Sequence, residues 1–270
     1  MPELPEVETT ANEIKPGLLG RRVIDVHILW EGAVATPSPP EFARRLQGRR
    51  ILGTGRRGKF LLFPLDGGDT LIIHLRMTGH LGIVRSAEPL PQHARLVFAL
   101  DNGCDLRFRD ARKFGRAYLV ADPEEVLGRL GPEPLAGAFT PEVLQRQLGR
   151  RAAPVKSLLL DQRLVAGLGN IYADEALFYA GIHPRRPGKS LTPSEVRRLH
   201  TAIQRVLAEA IADGGTSLDS YRRPDGSQGG HAVRLAVFRK SGLPCPRCRT
   251  PIARIVLGGR STHFCPHCQT

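Results

Sequence analysis

Four of the five cysteines fall into one pattern: Cys245-x-x-Cys248, sixteen intervening residues, then Cys265-x-x-Cys268. The spacing lies within the window of a four-cysteine zinc site. Each pair brackets a tight turn, PCPRC and FCPHC, that can aim two thiolates at one ion. The stretch between the pairs, ARIVLGGRSTHF, reads as strand, Gly-Gly turn, strand. Residues 233–270 are therefore predicted to form a zinc-clipped β-hairpin. A segment this short cannot bury a core of its own, so the metal supplies its folding free energy. Four thiolates leave no open coordination position, which predicts one structural Zn2+ rather than a catalytic one. The fifth cysteine, Cys104, stands alone in a strand-like stretch and reads as a core thiol.

Upstream, the chain changes character once. Between residues 20 and 121 lie short β-branched and aromatic runs: Val23–Trp30, Lys59–Leu65, Thr70–Arg76, Ala94–Leu100, Asp105–Arg109 and Ala117–Val120. Turn signals separate them, among them Gly67-Gly68 and Asn102-Gly103. This predicts an antiparallel β-sandwich or barrel over 1–121, opened by a helix. Prolines at 123, 132 and 134 mark a linker over 122–134. Helical patterning then dominates 135–232: Val196, Leu199, Ile203, Val206, Leu207 and Ile211 recur at helical spacing after the start signal Thr192-Pro193-Ser194-Glu195. A Gly- and Ser-rich stretch, 214–230, is too long for an ordinary connection and reads as a functional loop or a linker, followed by a last strand before the hairpin. The expected fold class is α+β and multidomain.

Composition narrows the partner. The 270 residues carry 39 Lys and Arg against 26 Asp and Glu, a net charge of +13. That excess favours a polyanion, nucleic acid first, although a basic protein of another kind is equally compatible with charge alone. No apolar run approaches the ~18 residues of a membrane helix, and the acidic start MPELPEVETT lacks the basic region of a secretory signal. A cytoplasmic location is expected, nucleoid-associated if the partner is DNA.

The N-terminus has two readings. If Met1 is removed, Pro2 presents a secondary α-amine; such groups titrate near ~8 and are nucleophilic at neutral pH. Glu3 and Glu6 share a face beside it at the start of a helix whose buried face would be Leu4, Val7, Ala11 and Ile14. Alternatively, Pro2, Glu3 and Glu6 simply begin a helix, where proline and carboxylates are favoured.

Three features together separate these readings: MPELPEVET, the segment Gly167-Leu168-Gly169-Asn170-Ile171-Tyr172-Ala173-Asp174-Glu175, and the terminal four-cysteine hairpin. In this order they resemble the formamidopyrimidine-DNA glycosylase/endonuclease VIII family over essentially the whole chain. Leu4 favours the purine-specific branch, since the endonuclease VIII branch typically has glycine there. The resemblance implies a helix–two-turns–helix module around Asn170. It also implies a bifunctional repair enzyme that removes oxidised purines from duplex DNA and nicks the strand by β,δ-elimination, as a monomer with no small-molecule cofactor.

By that resemblance Pro2 is the nucleophile at C1′, Glu3 the general acid/base at the deoxyribose and Glu6 a supporting carboxylate. Lys59, His74, Asn170 and Arg260 match positions that clamp phosphates around the lesion, with Lys59 and Arg260 counted in the catalytic set. In isolation each also reads as surface charge, strand histidine or helix cap. Met77, Arg112 and Phe114 match the side chains that fill the gap left by the everted nucleotide, with Arg112 meeting the orphaned cytosine. His93 is a further backbone contact, and Lys156 is expected to assist damage recognition. The 214–230 loop corresponds to the segment covering the everted base. It departs from some family members at Ser227, where they carry lysine. An oxidised-pyrimidine glycosylase of the same architecture, or a non-catalytic damage-binding zinc protein, are the alternatives.

Overall fold

Period-two alternation of apolar residues dictates the first half of the molecule. In a computed structural model all 270 residues are described, and they form two units. The first comprises Met1–Arg129 with Gly214–Gly230, the second Leu130–Asp213 with His231–Thr270.

The first unit is a β-sandwich. One sheet orders its strands β1 (Val23–Ile28), β7 (Ala94–Leu100), β8 (Cys104–Asp110) and β6 (Gly79–Arg85), all antiparallel. The other runs β2 (Val34–Thr36), β9 (Arg116–Val120), β5 (Thr70–His74), β4 (Phe60–Pro64) and β3 (Gly55–Arg57), with β2 alone parallel to its neighbour. Leu61, Phe63, Leu71, Ile73 and Leu119 from the second sheet enter one core with Val23, Leu96, Phe98, Leu106 and Phe108 from the first. Helix α1 (Leu4–Leu18) adds Val7, Ala11, Ile14 and Leu18 to that core, the stripe expected of its spacing. Helix α2 (Pro39–Leu46) closes one end with Phe42 and Leu46, and a short α3 (Glu124–Leu127) interrupts the Pro-rich stretch read as linker.

The second unit packs α4 (Pro141–Leu148), α5 (Val155–Leu160), α6 (Asn170–Ala180) and α7 (Pro193–Ala212) with the hairpin of β10 (Ala253–Leu257) and β11 (Arg260–Phe264). Gly258 and Gly259 both take positive φ, 54° and 72°, the two-residue turn that suits the twist of a hairpin. Thr192 and Glu195 cap α7 reciprocally, as the sequence signal predicts.

Three expectations need correction. The 214–230 loop groups with the first unit, not with the helices, because its backbone bonds to α1 and to the first sheet. The stretch 231–238 is not a strand: it forms a 3-10 turn over His231–Arg234. The amides of Ala236, Val237 and Phe238 then donate to the buried Glu175 carboxylate at 2.7–2.9 Å instead of to a ladder. Cys104 is half-exposed at the start of β8 rather than in the core.

Candidate active site and nucleic-acid interface

The first turn of α1 is built around Glu6. Its carboxylate accepts the Glu3 amide at 2.8 Å on one oxygen and the Thr216 amide at 2.8 Å on the other. Buried Glu6 thereby fixes the backbone next to Pro2 and anchors the 214–230 loop to the same point. Glu3 and Pro2 are buried beside it, behind an exposed Met1. Tyr221, from the loop, packs into this carboxylate-rich corner, and burial with the charges of Glu6 and Glu13 pushes its phenol above the ordinary range. The loop is held at three further points. Arg223 pairs with Glu13 at 2.6 Å, His80 Nε2 meets the Arg223 carbonyl at 3.0 Å, and Ser220 Oγ donates to the Met77 carbonyl at 3.1 Å. Ser227 lies at the exposed tip, where its amide donates to Asp225.

Lys59 and His74 are brought together by the β4–β5 ladder, where Phe60 pairs directly with His74. Strand β3, which leads into the Lys59 turn, is tied to α1 by Arg56 on Glu8 at 2.8 Å and by Thr54 on the Ala11 carbonyl. Burial, followed by the Arg76 and Lys59 charges, lowers the His74 imidazole to about 3. At neutral pH it is uncharged. Its Nδ1 accepts the Arg76 amide at 2.9 Å, so the ring proton resides on Nε2. His74 is thus a neutral hydrogen-bond donor rather than one of the cations.

The three gap-filling candidates share one scaffold. Met77 sits in the β5–β6 turn, where Gly79 donates to the Leu75 carbonyl at 2.9 Å. A Cβ at Gly79 would come within 2.2 Å of that oxygen, so only glycine closes the turn. Arg112 and Phe114 sit in the β8–β9 turn, whose amides at 112, 114 and 115 donate to the Asp110 carboxylate. Thr78 joins the turns by donating to Asp110 and accepting the Arg112 amide at 3.2 Å. Phe114 is 47% exposed, and the Arg112 guanidinium lies 4.9 Å from its ring centre. An apolar wedge and a forked donor are thereby presented to solvent on a fixed loop. His93 is exposed at positive φ just before β7. The sequence offered no direct sign of Asp110 or Thr78; their work is in turn geometry, which residue type alone does not reveal.

In the second unit, Asn170 opens α6 and donates to the Ser261 carbonyl at 2.9 Å, while its Oδ1 is buried without a partner. Asn170, Arg239, Arg254, Arg260 and His263 line a cavity of about 410 Å³ with Phe238 and Ser261. Arg260, at the head of β11, is exposed. Arg239 and Arg254 carry no local sequence signal for this role, although Arg254 flanks the same Gly-Gly turn. Such a concavity, with three guanidinium groups at a helix N-terminus, suits an anion.

Lys156, expected to assist damage recognition, lies in the interior. It is fully buried: its Nζ pairs with Asp174 at 2.7 Å and donates to Thr262 Oγ1 at 2.8 Å and the Ser261 carbonyl at 3.0 Å. Asp174 also accepts the His263 amide at 2.9 Å. Lys156 therefore braces the hairpin strand that carries Arg260.

The four hairpin cysteines converge, their sulfurs all lying within 4.8 Å of one another. Separations of 3.9 Å between Cys245 and Cys268 and 3.4 Å between Cys248 and Cys265 bracket the ~3.8 Å edge of a tetrahedron with Zn–S bonds near ~2.3 Å. The Arg247 and Cys268 amides point at Cys245 and Cys265 sulfurs, as suits thiolates. The donor set and its geometry fit one structural zinc ion. No helix is long and apolar enough to cross a membrane.

Comparison with known proteins agrees along the length of the chain. Family models match in order: "Formamidopyrimidine-DNA glycosylase N-terminal domain" over residues 1–117, "Formamidopyrimidine-DNA glycosylase H2TH domain" over 130–221, and "Zinc finger found in FPG and IleRS" over 242–270. The formamidopyrimidine-DNA glycosylase of Chloroflexus aggregans is 51% identical over 272 residues, covering 100% of this chain and 98% of that one. The crystal structure of the MutM (Fpg) protein of Thermus thermophilus is similar with a TM-score of 0.90 at 49% identity, covering 99% of this chain and 98% of that one. A Lactococcus lactis Fpg mutant in complex with DNA containing Fapy-dG is similar with a TM-score of 0.94 at 36% identity, covering 100% of both chains. The chain belongs to the formamidopyrimidine-DNA glycosylase family.

Proposed function

We propose that this chain excises oxidised purines, 8-oxoguanine and formamidopyrimidines, from duplex DNA and nicks the strand, with Pro2 as nucleophile. The observation that carries this reading is the Glu6 carboxylate, which pins the residue after Pro2 and the 214–230 loop to one point. A nucleophile and the segment that would cover an everted base are thereby supported by the same side chain.

Once Met1 is removed, the Pro2 nitrogen attacks C1′ and the glycosidic bond breaks, releasing the base. Glu3 protonates the deoxyribose ring oxygen as the C1′–O bond opens, leaving an iminium between Pro2 and C1′. The iminium withdraws electrons, acidifies the C2′ protons and allows both flanking phosphates to leave in turn. Lys59, the Nε2–H of His74, Asn170 and Arg260 supply donors for the phosphates. Met77, Arg112 and Phe114 occupy the space of the everted nucleotide. Lys156 acts through Asp174 by holding β11. His93 adds a backbone contact. The zinc ion, held by Cys245, Cys248, Cys265 and Cys268, stabilises the hairpin that carries Arg260. The protein works as a monomer at the nucleoid, in the cytoplasm.

Single-turnover excision from duplexes carrying 8-oxoguanine opposite cytosine, or thymine glycol opposite adenine, tests the substrate. Faster release of 8-oxoguanine with strand scission is expected; preference for thymine glycol would move the chain to the oxidised-pyrimidine reading.

A further inference from the structure

Outside the candidate site, three cations converge on one aromatic ring. The guanidinium groups of Arg95 and Arg116 lie 6.0 Å and 5.4 Å from the ring centre of Trp30, and the ammonium of Lys113 lies 5.7 Å from it. The ring packs on Gly32, where a Cβ would fall 2.4 Å from its Cζ2. Backbone carbonyls hold the cations: Arg95 donates to that of Asp110 at 2.8 Å, and Arg116 to those of Gly115 and Lys113 at 2.8 and 3.1 Å.

Three like charges around one ring repel one another, and the ring's negative faces offset only part of that repulsion. No carboxylate forms an ion pair with any of them. The nearest candidate in the turn, Asp110, has its oxygens committed to the amides of Arg112, Phe114 and Gly115 and to the Thr78 hydroxyl. With no intramolecular counter-charge, the cluster presents a net positive surface suited to an external anion. Its position indicates which one. Lys113 lies between Arg112 and Phe114 in the chain, and Arg95 is bonded to the residue that anchors their turn.

We propose that Trp30, Arg95, Lys113 and Arg116 form a second phosphate-binding surface, which holds the backbone of the strand opposite the lesion. This rests on the DNA-repair reading above and extends it from the damaged strand to its complement. The surface acts on affinity and placement of the duplex, and touches no reacting atom.

Binding to a duplex with a non-cleavable tetrahydrofuran site opposite cytosine, measured by anisotropy across a salt series, reads the effect. Replacing Arg95 and Arg116 together by glutamine is expected to lower the salt slope by about 1.8 and affinity at 0.1 M salt by roughly 10–100-fold, at about 0.9 slope unit per phosphate. Replacing both by lysine, which retains charge without the guanidinium bonds, should restore most of the slope. Uncharged methylphosphonates beside the base opposite the lesion should weaken the wild type more than the double-glutamine variant, which retains only Lys113 of the three cations. An unchanged slope, or equal weakening of both proteins by methylphosphonate, overturns the proposal. Borohydride trapping on an 8-oxoguanine duplex separates this from the underlying reading. A trapped adduct with an unchanged slope rejects the cluster alone, whereas a wild type with no adduct rejects the glycosylase reading itself.

Discussion

The sandwich core and the hairpin core are made of different materials. In the first unit, leucines, isoleucines and phenylalanines from two sheets and α1 form one continuous apolar interior. Around the hairpin, the buried set is Phe178, Ala236, Val237, Ile252 and two cysteines, with a Lys156–Asp174 ion pair and the Glu175 carboxylate close by in sequence and bonding. One region is held by area removed from water, the other by a metal and by charges whose partners must all be present. The difference explains how each presents its donors. The first unit can bury a neutral histidine and lock turns through amide–carboxylate bonds. The second offers exposed arginines on a hairpin that has little apolar support of its own.

Removing the metal should separate the behaviour of the two regions most. Cys248→Ser, or chelation, is expected to unfold the hairpin, because zinc supplies on the order of 10 kcal/mol to folding of such segments. Hydrogen exchange should then rise over 253–264 while the sandwich strands stay protected. Equal loss of protection in both units would contradict the division. Next in size, Asp174→Asn strands the buried Lys156 charge and should destabilise the second unit by about 3–5 kcal/mol. A melt within about 1 kcal/mol of wild type would show that the pair does not brace the hairpin.

The smallest effect sharpens the first region. His74 has a folded-state value of about 3, below the unfolded value near ~6.5, so the unfolded chain takes up the proton first. Its neutral form is therefore fully compatible with folding above pH 6.5, and stability falls as pH drops from there towards 3. The slope is about 1.4 kcal/mol per pH unit for one proton. Stability measured at pH 7 and 5.5 should fall less in His74→Gln than in wild type; an identical fall would show that His74 is not buried neutral.

How far the sequence could be read follows the same division. Alternation placed β7 at its observed ends and most other strands to within a few residues, and cysteine spacing located the zinc hairpin. Strand β6, GHLGIVR, escaped because two glycines dilute the pattern that pairing with β8 enforces. The supposed last strand failed because a buried carboxylate on α6 takes its amides, a tertiary event with no local signal. The family resemblance pointed to Lys156 but could not say that its charge faces inward to Asp174. The tie between Glu6 and Thr216 joins residues 210 positions apart and is likewise invisible in one dimension.

The Pro2 amine, held by the first turn of α1, is proposed to form a covalent adduct with a damaged nucleotide. Borohydride trapping on a duplex carrying 8-oxoguanine opposite cytosine tests it most directly, using wild type, Pro2→Gly and protein bearing an N-terminal extension. An adduct mapping to Pro2 is expected in wild type and none when the N-terminus is blocked. An adduct that persists in the extended protein, or maps to a lysine such as Lys59, would contradict it.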